Sequence, residues 1–353
     1  MKRNILLSLI VGAAAIFGII CSAIILIQGI RMGTFKVPSA AREERYPNAW
    51  ELEKTKLEEF SDISISLSYC NLSVLPADGY YLEYRMDGTC EEPQYNVSDG
   101  SFCFQEGHTQ TKYRSGFHLF FNSGSFSPYN QGPYYVKLYV PQTQYFNLLS
   151  ISDDSGDIEI DSLQAKNAEI KADYGNLNLD SFSGEELTIS TNSGNIELGT
   201  ITCDNLELSN EYGNIEADSF QIAKSASITL DSGSLELSSL TSGNLTLSND
   251  YGNCTIDEIT VAASSISLDS GRLILRHAAL GNTEINNEYG DTDISLTDNV
   301  ADYNYNLHAE YGTIKLDGTT LNSNDDGEVH YQKDNGKKND IRIFCESGNI
   351  DIR

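Results

Sequence analysis

Beyond residue 150 apolar and polar residues alternate with a period of two, and a short polar signature interrupts them at near-constant intervals. The signature is an acidic residue or Asn, then Ser or Tyr, then Gly. It opens as Asp154-Ser155-Gly156, Asp173-Tyr174-Gly175, Asn192-Ser193-Gly194 and Glu211-Tyr212-Gly213. It continues as Asp231-Ser232-Gly233, Asp250-Tyr251-Gly252, Asp269-Ser270-Gly271 and Glu288-Tyr289-Gly290, and recurs at Glu310-Tyr311-Gly312 and Glu346-Ser347-Gly348. The first eight glycines lie 19, 19, 19, 20, 19, 19 and 19 residues apart. Such a period denotes stacked repeats.

The columns around each Gly identify the unit. Five residues before it stand Ile151, Ile170, Ile189, Leu208, Ile228, Leu247, Ile266, Ile285, Leu307 and Ile343. Two and four residues after it the chain is again mostly aliphatic, as at Ile158 and Ile160 or Leu177 and Leu179. Alternation of this kind belongs to strands, and no unit holds a helix-length run with 3.6-residue spacing. Each unit reads as strand, Gly corner, strand, with a second apolar corner seven residues after Gly (Leu163, Phe182, Ile201, Phe220, Leu240, Ile259). Stacking such units about 4.8 Å apart buries a continuous aliphatic core. The expected fold is all-β: a single-chain β-solenoid of ~19-residue units. The Asn or Asp after each Gly is expected to share its positive-φ corner. Ser and Tyr alternate through eight units, which superimposes a period of 38–39 residues. Like-on-like stacking of Tyr on Tyr favours a 38-residue coil over a 19-residue one.

Four regions follow. Residues 1–30 form an N-terminal membrane anchor, because Asn4–Ile30 lacks charge and the 23 residues Ile5–Ile27 would span roughly 34 Å as a helix. Cys21 follows Ile20 rather than a small residue, so an uncleaved anchor is expected in place of a lipoprotein or signal peptide. Residues 31–60 read as a stalk with a short helix near Glu51–Glu59. Residues 61–150 read as an irregular β lead-in capping the core, with strands at Ile63–Leu67, Leu72–Leu75, Tyr80–Arg85, Ser101–Gln105, His118–Asn122 and Tyr134–Val140. Residues 151–353 form the repetitive solenoid. In it a polar loop over Asp317–Asp340 precedes a last unit, Ile341–Arg353, that ends on an open edge.

Composition changes the picture in one respect. The chain of 353 residues carries 51 acidic and 23 basic groups, a net charge of −28. Residues 1–45 hold six of the basic groups and two of the acidic ones, so the remainder is more acidic still. That field disfavours nucleic acid and keeps a long β-protein soluble. Lys2 and Arg3 before the span are outnumbered by Arg31, Lys36, Arg42 and Arg45 after it, yet long domains translocate largely regardless of such charges. The expectation is a single-pass bacterial membrane protein with the solenoid outside.

The search for chemistry returns little. Seven cysteines include no Cys-x-x-Cys pair. Cys203 and Cys254 fall in aliphatic columns and read as core, while Cys70, Cys90 and Cys103 allow one disulfide of undecided pairing. The five histidines have no metal-ligand spacing, and no nucleophile elbow or phosphate loop occurs. Two ladders remain. The acidic ladder is Asp154, Asp173, Glu211, Asp231, Asp250, Asp269 and Glu288; neighbouring carboxylates about 4.8 Å apart cost roughly 0.9 kcal/mol in water. Weak Ca²⁺ binding could relieve that cost, and capping of turn N–H groups is the simpler use. The tyrosine ladder is Tyr174, Tyr212, Tyr251 and Tyr289, with Tyr311 out of step. It suits surface glycans or protein patches, or reinforces the corners by self-packing.

Residues 60–353 resemble the DUF4097 family of β-strand repeat proteins. The resemblance rests on Val-Lys-Leu-Tyr-Val-Pro at 136–141, Ser-Gly-Asp-Ile-Glu-Ile at 155–160, Ser-Gly-Asn-Ile-Glu-Leu at 193–198 and Ser-Gly-Asn-Ile-Asp-Ile at 347–352. It implies a β-solenoid, a surface or envelope location, an adhesin-like role and no catalytic residues. The Tyr-Gly units depart from the commoner Ser-Gly or Thr-Gly form. The expected function is a non-catalytic binding or structural module on the cell surface. The alternatives are an extracellular polysaccharide-acting β-helix enzyme and an envelope-stress sensor working through a membrane partner. An enzyme would need a singular carboxylate pair, whereas these carboxylates repeat evenly.

Overall fold

The computed structural model describes residues 49–108, 134–321 and 328–353. The expected membrane span, residues 31–48 of the stalk and the strand at His118–Asn122 lie outside them. The first strands are β1 (Trp50–Lys56), β2 (Asp62–Leu67), β3 (Asn71–Ala77), β4 (Tyr81–Met86), β5 (Gln94–Ser98), β6 (Ser101–Gln105), β7 (Tyr135–Pro141) and β8 (Tyr145–Asp153). Seven long strands follow: β9 (Ile158–Tyr174), β10 (Leu177–Ser193), β11 (Ile196–Tyr212), β12 (Ile215–Ser232), β13 (Leu235–Tyr251), β14 (Cys254–Ser270) and β15 (Leu273–Tyr289). The end comprises β16 (Thr292–Leu296), β17 (Tyr303–Tyr311), β18 (Ile314–Leu316), β19 (Thr319–Thr320), β20 (Val329–Lys333), β21 (Asn339–Ser347) and β22 (Ile350–Ile352).

One coil is a single Gly-to-Gly unit, so the 38-residue coil favoured by the Ser/Tyr alternation does not form. Strand β10 pairs in parallel with β9 and β11 along its whole length, with Ile189 between Ile170 and Leu208. Burial divides each coil into three sides. After Gly194 the inward residues are Ile196 and Leu198, then Ile201 and Cys203, then Leu206, Leu208 and Asn210. Two outward residues in succession mark two of the corners and four, Glu211 to Asn214, mark the glycine corner; at each the alternation slips phase. The 20-residue unit absorbs its extra residue as a bulge between Ile222 and Ser225, at the corner where Lys224 pairs with Asp204 at 3.0 Å.

The glycine corner is fixed by contact. A Cβ on any of Gly175, Gly194, Gly213, Gly233, Gly252, Gly271 or Gly290 would lie 1.8–2.1 Å from the carbonyl oxygen of the Gly one coil before it. Their φ values of 139–153° are also ones that L side chains rarely adopt. The following Asn residues do not share that conformation; among the described non-glycines only Asp99, His277 and Asp317 have positive φ. Their role is instead a ladder. Asp157 Oδ1 accepts from Asn176 N, Asn176 Oδ1 from Asn195 N, Asn195 Oδ1 from Asn214 N and Asn214 Oδ1 from Ser234 N, at 2.8–3.0 Å.

The lead-in belongs to the same stack. Ile65 pairs with both Phe104 and Ile151, so the column that runs on to Leu247 and Ile285 begins at β6. Above it β5 runs antiparallel to β6, and β4 and β1 run antiparallel beyond β7. Residues 50–56 form a strand rather than the expected helix. Trp50, Leu52 and Thr55 turn to one side in register with Met86, Tyr84 and Leu82, and tertiary pairing overrides the helix propensity of the Glu/Lys run. Phe60, Tyr80, Phe102 and Phe146 fill this end.

The last unit is not terminal. Strand β21 lies between β15 and β17, and β22 lies between β16 and β18, all parallel. Gly290 N donates to Ser347 O and Gly348 N donates to Tyr311 O, so the spatial order is Gly290, Gly348, Gly312. The final coil, Asn339–Ile352, is slotted one place earlier in the stack than its order in the chain. The outer coil is covered by antiparallel strands, β20 on β17 and β19 on β18. The expected open edge is therefore paired.

Two outcomes follow from this architecture. Deleting Ile341–Arg353 removes an inner coil, so hydrogen exchange over Tyr303–Tyr311 is expected to lose its protection while Leu177–Tyr251 keeps it; unchanged protection of Tyr303–Tyr311 would contradict the insertion. Asp153 supplies the second. It is buried at 1% exposure, its Oδ1 accepts from Ser155 N and Gly156 N, and burial pushes its carboxyl up to about 6. Because the folded pKa is raised, the contribution of Asp153 to stability is most favourable below about pH 4 and falls by about 3 kcal/mol as pH rises through 6. Asp153→Asn should raise the melting temperature at pH 8 and leave it unchanged at pH 4; equal effects at both would refute this.

Candidate functional site

The 19-residue coil rearranges the tyrosine ladder. Registered pairs run Tyr174–Ser193–Tyr212–Ser232–Tyr251–Ser270–Tyr289. They continue Tyr289–Ser347–Tyr311 through the inserted coil. Tyr stacks on Ser, not on Tyr, and Tyr311 is in step after all. Neighbouring rings stand two coils apart, about 9.6 Å, so the tyrosines do not pack on one another. They are open to solvent, with exposures of 62, 60, 63, 52 and 72% for Tyr174, Tyr212, Tyr251, Tyr289 and Tyr311. Tyr69 extends the column, since it lies between the registered pairs Leu67–Asp153 and Leu72–Ile158, opposite Ser155. Sequence reading missed it because Cys70 replaces Gly and the partner lies far along the chain.

Three of the Tyr coils share an interior feature. Two residues before Tyr212, Tyr251 and Tyr289 lie buried Asn210, Asn249 and Asn287. Their Nδ2 atoms donate to the carbonyls of Gly194, Gly233 and Gly271 at 3.0, 3.0 and 3.2 Å. On the intervening Ser coils the same position is Thr191, Leu230 or Leu268. Each such Asn ties a Tyr corner to the Ser corner before it, while the same position before Tyr174 and Tyr311 is Ala172 and Ala309.

The acidic ladder runs beside the tyrosines. Asp154, Asp173, Glu211, Asp231, Asp269 and Glu288 are exposed and Asp250 is half-buried. Burial, then the charges of Asp269 and Asp231, holds the Asp250 carboxyl above its ordinary value. Asn192 interrupts the ladder and donates to Asp173 Oδ1 at 3.1 Å. Glu346 of the inserted coil accepts from the Tyr289 hydroxyl at 3.5 Å, and its charge pushes that hydroxyl's pKa up. Capping of turn N–H groups falls to Asp153, one residue inside the ladder, rather than to Asp154. On the other flank the exposed Nδ2 atoms of Asn195, Asn214 and Asn253 make no hydrogen bond among the described residues, while their Oδ1 atoms serve the corner ladder.

A second acidic feature escaped the sequence reading. Asp180, Glu197, Glu216, Asp218 and Glu236 line a trough of about 550 Å³, closed at one end by Arg276 paired with Asp257. The spacing of Glu197, Glu216 and Glu236, three residues after each Gly, was its signal. Among the described residues no three His, Cys, Asp or Glu converge as ligands for a metal ion. His308 and His330 do meet, at 5.7 Å between rings, because β20 pairs with β17. Cys203 and Cys254 are core residues, and burial raises the Cys254 thiol to about 11, away from thiolate chemistry. Cys70, Cys90 and Cys103 are free thiols, Cys70 donating to Glu106 at 3.3 Å.

The Toastrack DUF4097 family model matches residues 60–223 and 183–353. Two solved structures described as a "putative adhesin" are similar. That from Parabacteroides distasonis ATCC 8503 shares 10% identity, with 86% of this chain and 96% of its own covered, at a TM-score of 0.37. That from Bacteroides fragilis NCTC 9343 shares 11% identity, with 87% and 98% covered, at 0.33. A "putative lipid binding protein" from Parabacteroides distasonis ATCC 8503 shares 14% identity, with 71% and 92% covered, at 0.35. No curated protein matches. With matches spanning both the lead-in and the repeats, the chain belongs to the Toastrack DUF4097 family.

Proposed function

We propose that this chain is a membrane-anchored bacterial surface protein whose acidic solenoid is a non-catalytic binding module, with the tyrosine column as its contact face. The observation that carries this reading is the run of five tyrosines, each more than half exposed, at every second coil of one column. Exposed aromatic rings on a rigid frame contribute contact area at little ordering cost. The frame is rigid because glycine contacts, an amide ladder and an aliphatic core fix each coil on the next. The uncharged stretch Asn4–Ile30 supports anchoring, and the evenly repeated carboxylates favour binding over hydrolysis.

Two measurements on cells expressing the full chain with a C-terminal tag test this. Protease added to intact cells is expected to remove the tag; survival of the tag until lysis would place the solenoid inside and end the reading. The double variant Tyr212→Ser/Tyr251→Ser restores the residue that neighbouring coils already carry, so its melting temperature should stay unchanged. Its retention on a panel of glycans and extracellular proteins should fall at least tenfold, and parental retention would remove the tyrosines from the contact face.

A further inference from the structure

The spacing of the tyrosines selects among extended ligands. Coils stack at about 4.7–4.9 Å, so successive rings repeat every 9.4–9.8 Å or so. A polyproline-II chain repeats every three residues of about 3.1 Å each, or about 9.3 Å. A β-strand repeats its facing side chains at about 6.7 Å, which falls out of step within one interval. An α-helix needs two turns, about 10.8 Å, and drifts by roughly half an interval from Tyr174 to Tyr311. The polyproline-II repeat drifts by at most about 2 Å over the same span, less than the width of a ring.

The flanks of the comb agree with that choice. Each Ser coil leaves a slot whose centre is about 4.8 Å from the tyrosine on either side, a distance at which rings pack. On one flank runs the ladder Glu211, Asp231, Asp250, Asp269 and Glu288. It faces the comb along its length and calls for positive charge. On the other flank the free Nδ2 donors of Asn195, Asn214 and Asn253 face outward. A polyproline-II chain makes no internal hydrogen bonds, so its carbonyls need such donors. Resting on the tyrosine column as contact face, we infer that it takes a basic, proline-rich peptide in the polyproline-II form. Each three-residue turn places one proline ring in a Ser slot and one Lys or Arg on the acidic ladder, and the turns beside Asn195, Asn214 and Asn253 each place one carbonyl on the amide flank.

The test uses full-length protein in detergent and three fluorescent twelve-residue peptides, whose length in this form, about 37 Å, matches the roughly 38 Å from Tyr174 to Tyr311. These are (Lys-Pro-Pro)4, the equally charged but flexible (Lys-Gly-Ser)4, and (Glu-Pro-Pro)4. The expected order is (Lys-Pro-Pro)4 at least tenfold tighter than (Lys-Gly-Ser)4, with (Glu-Pro-Pro)4 unbound. Tyr212→Ser/Tyr251→Ser should weaken (Lys-Pro-Pro)4 at least tenfold, and Asp231→Asn/Asp250→Asn should weaken it while flattening its salt dependence. Equal binding of the two lysine peptides, or no effect of the tyrosine changes, would overturn the inference. So would a tyrosine-dependent dimer in sedimentation velocity that (Lys-Pro-Pro)4 does not dissolve, since the comb would then pair with a second copy. Should (Lys-Pro-Pro)4 fail while the tyrosine variant still loses retention on the glycan and protein panel, the peptide falls and the contact face stands. Loss of both effects removes both.

Discussion

From Gly156 onward, every column in this protein is set by the contact between one corner glycine and the next. The carbonyl oxygen of each Gly occupies the space that a Cβ on the next Gly in the stack would need, at 1.7–2.1 Å. No other residue fits, so the corners align coil on coil without slippage. Once they align, residues at a fixed offset from Gly fall into straight rows. The aliphatic rows close the core, the amide row ties the corners, and the tyrosine and carboxylate rows are carried to the surface at fixed spacing. A one-residue slip anywhere would turn inward residues outward and end all of these together.

The same constraint explains the inserted C-terminal coil. A parallel coil offers its successor only backbone groups, an aliphatic row and a glycine carbonyl, none of which depends on chain order. Gly348 fits above Gly290 as well as any later Gly fits its predecessor. Placing it there lets the coil of Gly312 sit outermost, where the antiparallel strand Val329–Lys333 can cover it. The insertion also keeps Ser347 between Tyr289 and Tyr311, so the comb extends unbroken to the end of the stack.

The columns five before and two and four after Gly made the β-solenoid legible from sequence, since a period of two broken at each recurring glycine admits few other folds. The coil size was not legible by the same route. The doubled Ser/Tyr period coincides on three Tyr coils with buried Asn210, Asn249 and Asn287 reaching back one coil, an interaction invisible without the register. The insertion left one trace, because Tyr311 directly follows Tyr289 in the series and only Ser347 between them restores alternation. Tyr69 and the edge strand Trp50–Lys56 left less: the first lacks the glycine, and the second carries a Glu/Lys pattern that favours helix until Tyr84 and Leu82 offer it a partner.

The central claim is that one coil takes a single Gly-to-Gly unit, so that the tyrosines form a comb rather than a stack. A pulsed electron-spin distance measurement between nitroxides at positions 174 and 289 addresses it most directly. Six coil steps of about 4.8 Å give roughly 29 Å between the two backbone positions. A distribution centred near that value, allowing for the label arms, is the expected result. A distribution centred at about 14 Å, the three steps that a coil of two units would give, would contradict the comb and everything built on its spacing.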